Sequence, residues 1–180
     1  FYAAHHITIQ GTLFLVAGLI ERVGGSTSLD RLGGLARVSP LLGALFLIPA
    51  LNLAGIPPLS GFVAKLALLQ AGVAAGTPTS WSLVIAGVVT SLLTLYAMAK
   101  VWNRAFWGVL PPACEQTYRS YDDPQAGRLL PALMVAPTVG LIGLALGFTV
   151  FAGGMYAFVA RSAHALVDGR YVAAVLGGGG

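Results

Sequence analysis

Between Arg37 and Lys100 the chain carries a single charged side chain, Lys65. A water-soluble fold does not tolerate that pattern, because so long a stretch without solvating groups would leave one continuous apolar surface. The full sequence agrees. Of 180 residues, 57% are hydrophobic and 9% charged, against about 25% charged in ordinary soluble domains, and the mean hydropathy is +0.82. The chain is therefore read as an all-α, multi-pass membrane protein. A spanning helix needs about 20 mostly apolar residues, which leaves room for about five spans and no separate soluble domain.

The same counts exclude other classes. The net charge of +4 comes from basic residues scattered singly, with no basic stripe, so no nucleic-acid partner is expected. Cys114 is the one cysteine; it excludes an internal disulfide, and no CxxC pair or Cys/His cluster points to a metal or cofactor. No nucleophile elbow, phosphate-binding loop or dinucleotide fingerprint is present, so catalytic residues are not expected. The chain opens on Phe1, already apolar and without a basic leader, and is expected to begin inside a helix of a longer protein.

Hydropathy and turn signals divide residues 1–160 into five helices, about 1–20, 40–54, 59–73, 80–107 and 130–159, followed by an interfacial tail over 161–180. The first ends at Glu21-Arg22 and Gly24-Gly25, and Ser39-Pro40 reads as a cap followed by proline at the first helical position. Thr79 or Ser80 is expected to cap the fourth helix, whose last turns hold Tyr96, Lys100, Trp102, Arg104 and Trp107, an interfacial mixture. The fifth is longer than one span and is expected to tilt, or to bend near Pro137. The polar loop over 111–128 carries Asp122 and Asp123 beside Arg119 and Arg128, which reads as solvated charge. Basic residues fall almost evenly on the two sides, so charge bias sets no orientation.

Between the second and third helices stands Gly55-Ile56-Pro57-Pro58. Two prolines remove two amide donors and force the helix to break. Broken backbone at membrane depth is tolerated only where protein or a hydrated cavity supplies hydrogen-bond partners, so this break is the first functional candidate. The polar inventory inside the spans is short: His5, His6 and Gln10, then Asn52, then Lys65. His6 and Gln10, four apart, share one helix face, and His5 points about 100° away. Imidazole loads and releases a proton near neutral pH; equally, these histidines bond a neighbouring helix or sit at the interface. Two adjacent histidines diverge and make no metal site. Lys65 either snorkels from a helix end or lies in the interior, where it would serve proton exchange.

Three stretches then resemble a known family. His5-His6-Ile-Thr-Ile-Gln10-Gly-Thr-Leu13-Phe14, Leu29-Asp-Arg-Leu-Gly-Gly-Leu35 and Leu53-Ala-Gly-Ile-Pro-Pro-Leu-Ser-Gly-Phe62-Val-Ala-Lys65 are similar to the proton-translocating antiporters. That family comprises the large subunits of Mrp-type Na+/H+ antiporters and the antiporter-like subunits of respiratory complex I. Leu95-Tyr-Ala-Met-Ala-Lys-Val-Trp-Asn-Arg-Ala-Phe-Trp107 resembles the D-type branch of the Mrp large subunits. The resemblance implies inverted repeats with broken helices near the midplane, this chain being a C-terminal fragment of a larger helical fold in the cell membrane. It implies a proton path through His6, Lys65 and Gln10, with Gly55, Pro57 and Pro58 forming the break. The implied partners are the other subunits of a hetero-oligomeric antiporter, protons, monovalent cations and the bilayer. Gln10 stands where many relatives have lysine, and glutamine cannot titrate. The alternatives left open are a complex I proton-pumping subunit and a non-transporting structural membrane subunit.

Overall fold

The computed structural model describes residues 1–120 and 129–167. These form α1 (Tyr2–Gly24), α2 (Leu35–Val38), α3 (Pro40–Ala54), α4 (Ser60–Ala75), α5 (Pro78–Val101, prolonged by a π-helical turn over Trp102–Trp107), α6 (Pro112–Arg119), α7 (Ala132–Val150) and α8 (Ala152–Val167). No strand occurs among the described residues. Asp122, Asp123 and Arg128 of the polar loop, and all of the tail beyond residue 167, lie outside them.

α1 is the central element. Ile9, Thr12, Val16, Leu19 and Val23 recur along it at spacings of three and four and are fully buried, which makes one continuous face. That face packs against α3, α4, α6 and α7. The main core joins Val16, Leu19 and Val23 to Leu35, to Leu42 and Phe46 of α3, and to Phe106. Phe46, Trp102 and Phe106 stack with centroids 4.8 to 6.3 Å apart, and this seats the π-helical turn against α3. By contrast Leu83, Ile85, Leu92 and Leu93 of α5 are widely exposed, as expected of a face turned to lipid or to another membrane helix.

Among the described residues, three helices are long and apolar enough to cross a membrane: α1, α5 with its extension, and α7. α3 and α4 are shorter apolar helices that meet at the break.

Helix ends follow local backbone chemistry more than polarity. α1 continues through Glu21 and Arg22 and stops only where Gly25 takes a left-handed φ of 67°, its N–H reaching Glu21 O at 2.7 Å. α5 begins two residues before its expected start, because Thr77 and not Thr79 or Ser80 is the N-cap; Thr77 and Ser80 form a reciprocal capping box around Pro78. The long helix expected over 130–159 is two elements meeting at Phe151, where ψ departs from helical values. Gly147, Gly153 and Gly154 lower helix propensity on both sides. Pro137 stays within α7.

Ser39 caps α3: its hydroxyl accepts from Leu42 N–H at 3.3 Å, with Pro40 at the first helical position. Ser39→Ala is expected to cost about 1 kcal/mol, read as a lower thermal midpoint of the purified protein. An unchanged midpoint would show that the cap contributes nothing.

Candidate functional site

α3 ends at Gly55, whose φ of 82° is left-handed and whose N–H reaches Leu51 O and Asn52 O, both at 3.1 Å. Ile56 N–H bonds Leu51 O as well. These bonds satisfy two of the last carbonyls of α3. The next two, on Leu53 and Ala54, have no backbone donor to meet them, because Pro57 and Pro58 follow.

Lys65 fills that gap. Its side chain runs back from the second turn of α4, and Nζ donates to Leu53 O at 2.7 Å and to Ala54 O at 3.2 Å. The stem passes so close to Gly55 that a Cβ there would stand 3.0 Å from Lys65 Cδ. An ammonium at the C-terminal end of a helix also meets the negative end of its dipole. A lysine at membrane depth costs about 2.5–3.5 kcal/mol on insertion scales, and a hydrogen bond from a charged group contributes about 1.5–3 kcal/mol. Two such bonds therefore offset the cost of placing the ammonium at the break.

The start of α4 is tied down from outside. Leu59 gives it no side-chain cap. Instead Gly61 N–H donates to Asn52 Oδ1 at 2.8 Å, and Ser60 N–H donates to Thr149 Oγ1 of α7 at 3.0 Å. Ser60 Oγ lies 3.1 Å from His5 Nδ1 and 3.4 Å from both Asn52 Oδ1 and Ala145 O. Asn52 and Ser60 are fully buried and His5 nearly so. Asn52 Nδ2 is buried with no hydrogen-bond partner among the described residues. An unpaired buried donor costs about 1–3 kcal/mol, so what the asparagine adds here is the acceptor on its other atom.

Beside the break lies a cavity of about 250 Å³ lined by Tyr2, His6, Leu53, Lys65, Thr90, Ser91 and Thr94 among others. His6 is stacked on Tyr2, centroids 5.5 Å apart. Thr90, Ser91 and Thr94 donate their hydroxyl protons to Ala86 O, Gly87 O and Thr90 O of their own helix. Their remaining lone pairs can accept from an ammonium, an imidazolium or water. The cavity thus brings two basic side chains, His6 and Lys65, to a row of hydroxyl acceptors.

Residues 1–94 match the family model described as NADH:quinone oxidoreductase/Mrp antiporter, transmembrane. The chain belongs to this family. A D-type subunit of a Na(+)/H(+) antiporter from Alkalihalophilus pseudofirmus is 40% identical over 148 residues, 82% of this chain and 28% of the relative. The protein of the same name from Bacillus subtilis is 43% identical over 108 residues, 60% of this chain and 21% of the relative. A chain in the solved structure of the Mrp complex from Dietzia sp. DQ12-45-1b superposes with a TM-score of 0.62 at 31% identity, over 85% of this chain and 34% of that one. The present chain therefore spans well under half the length of each of these antiporter-family proteins.

Within this member of the family, the residues singled out from sequence are distributed as follows. His6 and Lys65 line one cavity. Gly55 and Pro57-Pro58 form the break, with a cis peptide between the two prolines. Gln10 is not in that cavity: it borders a neighbouring, largely apolar one of about 480 Å³, which shares only Leu53 and Thr94 with the first. The sharing of a face by His6 and Gln10 does not bring Gln10 to Lys65, because four residues advance the helix by about 6 Å. His5, one of the polar residues the sequence places inside the spans, bonds a neighbouring helix through Ser60 of α4; Asn52 stands in the same inventory, whereas Ser60 and Thr149 carry no sequence signal of their own. The available signal for the burial of His5 was the spacing of α1, which sets it four residues before Ile9 on the buried face. No group of three or more His, Cys, Asp or Glu positioned to hold a metal occurs among the described residues.

Proposed function

We propose that the chain is part of a membrane subunit of a proton-coupled monovalent cation antiporter of the Na+/H+ type, working in a hetero-oligomeric complex in the cell membrane and supplying a segment of its proton path. The observation that carries this reading is the cavity shared by His6 and Lys65 beside a broken helix. Lys65 holds a proton as ammonium on the α3 carbonyls and releases it towards the cavity. His6, 100° round the helix from the buried His5, exchanges protons with the acceptors on α5. Gln10 does not titrate and contributes at most hydrogen bonds to water in the adjoining cavity. The antiporter reading is preferred to the quinone-reductase branch of the family because the relatives just described carry antiporter names. The chain spans 28% and 21% of two antiporter relatives, so transport belongs to the complete assembly.

The test is cation-driven proton flux in vesicles holding the complete assembly. His6→Ala is expected to lower flux by about a hundredfold, the lower end of the range typical of losing one positioned proton-transfer group, with assembly intact. Wild-type flux from His6→Ala would remove His6 from the path.

A further inference from the structure

The two halves of the broken helix cap each other. At the start of α4, the N–H of Gly61 is taken by Asn52 Oδ1 of α3. At the end of α3, the carbonyls of Leu53 and Ala54 receive Lys65 Nζ of α4. The two bonds are mechanically linked, because Gly61 and Lys65 are four residues apart and therefore stacked on the same face of α4. Whatever fixes the rotation of α4 at Gly61 fixes the direction in which Lys65 leaves the helix one turn later. Asn52 has little freedom of its own. It is fully buried, its backbone O sits where a Gly61 Cβ would be, and Ser60 Oγ lies 3.4 Å from its Oδ1. Thr149 of α7 holds the adjacent N–H of Ser60, so the first turn of α4 is gripped from two helices.

We infer that Asn52 is a positioning residue for Lys65: by holding the first turn of α4 through Gly61 N–H, it keeps Lys65 Nζ on the carbonyls of Leu53 and Ala54. This rests on the reading of Lys65 as a proton carrier and adds how its seat is built. Asn52 itself carries no proton.

The consequence appears in the pH dependence of transport. Carbonyl acceptors favour the charged form of an amine. Freeing α4 takes those acceptors from the ammonium form of Lys65 and changes the neutral form little. Among the described residues, the titratable side chains facing Lys65 are Tyr2 and His6, which line its cavity, and His5, within electrostatic reach; all three come from α1. α5 contributes the hydroxyls of Thr90, Ser91 and Thr94, while α3 and α7 bring the neutral side chains of Asn52 and Thr149 and the carbonyl of Ala145 to the start of α4. His5 reaches Asn52 through the Ser60 hydroxyl, so Thr149→Val, which frees Ser60 N–H and leaves that hydroxyl's partners in place, is the variant that separates the seat of Lys65 from a change at His5.

The experiment measures cation-driven proton flux against pH in vesicles containing the complete antiporter assembly. Wild type is compared with Asn52→Ala, Thr149→Val, Ser39→Ala and Lys65→Ala. Asn52→Ala is expected to move the half-maximal pH downward by about one unit, a shift of the size hydrogen-bond loss produces. Thr149→Val is expected to move it less and in the same direction, and it carries the test where Asn52→Ala fails to assemble. Ser39→Ala, a cap on α3 remote from the break, should lower the thermal midpoint and leave the pH midpoint in place. An unmoved pH midpoint in Asn52→Ala, or in Thr149→Val where that variant stands in for it, overturns the inference even if total flux falls. Unchanged flux in Lys65→Ala defeats the underlying proton-path reading instead; lost flux there beside an unmoved midpoint in Asn52→Ala removes only the positioning role.

Discussion

Lys65→Ala in the complete assembly is expected to reduce coupled proton flux to background, a loss of at least about a hundredfold if proton exchange at this position is obligatory. Alanine removes two things at once, a group that binds and releases a proton and the donor that satisfies Leu53 O and Ala54 O. Lys65→Arg separates them. Arginine keeps a cationic donor of similar reach for the α3 carbonyls, yet its guanidinium does not give up its proton in a protein. The expected outcome is that Lys65→Arg assembles better than Lys65→Ala and is equally inactive. Were Lys65→Arg to transport at the wild-type rate, proton release from position 65 would not be a step in the cycle. Were both variants to assemble normally, the capping of α3 by this side chain would contribute nothing to stability.

How much of this was legible in the sequence depends on which kind of signal each residue gives. Pro57 and Pro58 announce the break directly, since neither has an amide proton, and Lys65 stands out because Arg37 and Lys100 are its nearest charged neighbours in the chain. His5 and His6 were not separable in the same way. In a soluble helix, polar neighbours would mark the exposed side, but α1 is apolar around nearly its whole circumference, and exposed residues such as Phe14 look like core residues. The buried position of His5 follows only once α3, α4 and α7 are packed around α1. The same ambiguity hides Asn52 and Ser60, each an isolated small polar residue whose importance comes from a contact across the break. Helix ends differ from the charge boundaries for another reason. The sequence marks the membrane boundary by charge, whereas Gly25 and Thr77 end and begin helices by backbone geometry, and the two need not coincide.

The largest expected effect on folding comes from a position with no side chain. Gly61→Ala is expected to prevent α4 from docking, because the new Cβ would occupy the space of Asn52 O and approach Asn52 Oδ1 to 3.0 Å. The obstacle is backbone, which cannot rotate out of the way as a flexible side chain can. Overpacking of a tight contact costs about 1–3 kcal/mol even where neighbours yield. Here α4 must also shift away from α3, and the bonds from Gly61 N–H to Asn52 and from Lys65 to Leu53 and Ala54 depend on that approach. Each lost bond to a buried partner adds about 1–3 kcal/mol, so a total of several kcal/mol is expected, comparable with the whole stability of a typical domain. The measurement is the fraction of subunit that assembles, with the thermal midpoint of what does. Gly143→Ala in α7 is the matched comparison, because a Cβ there meets nothing within 4 Å, and exchanging a mid-helix glycine for alanine stabilises by about 0.5–1 kcal/mol. The same chemical change is thus expected to have opposite signs in two helices of one chain. Normal assembly and stability of Gly61→Ala would mean that α3 and α4 do not meet as closely as the break requires, and the reciprocal capping of Asn52 and Lys65 would go with it.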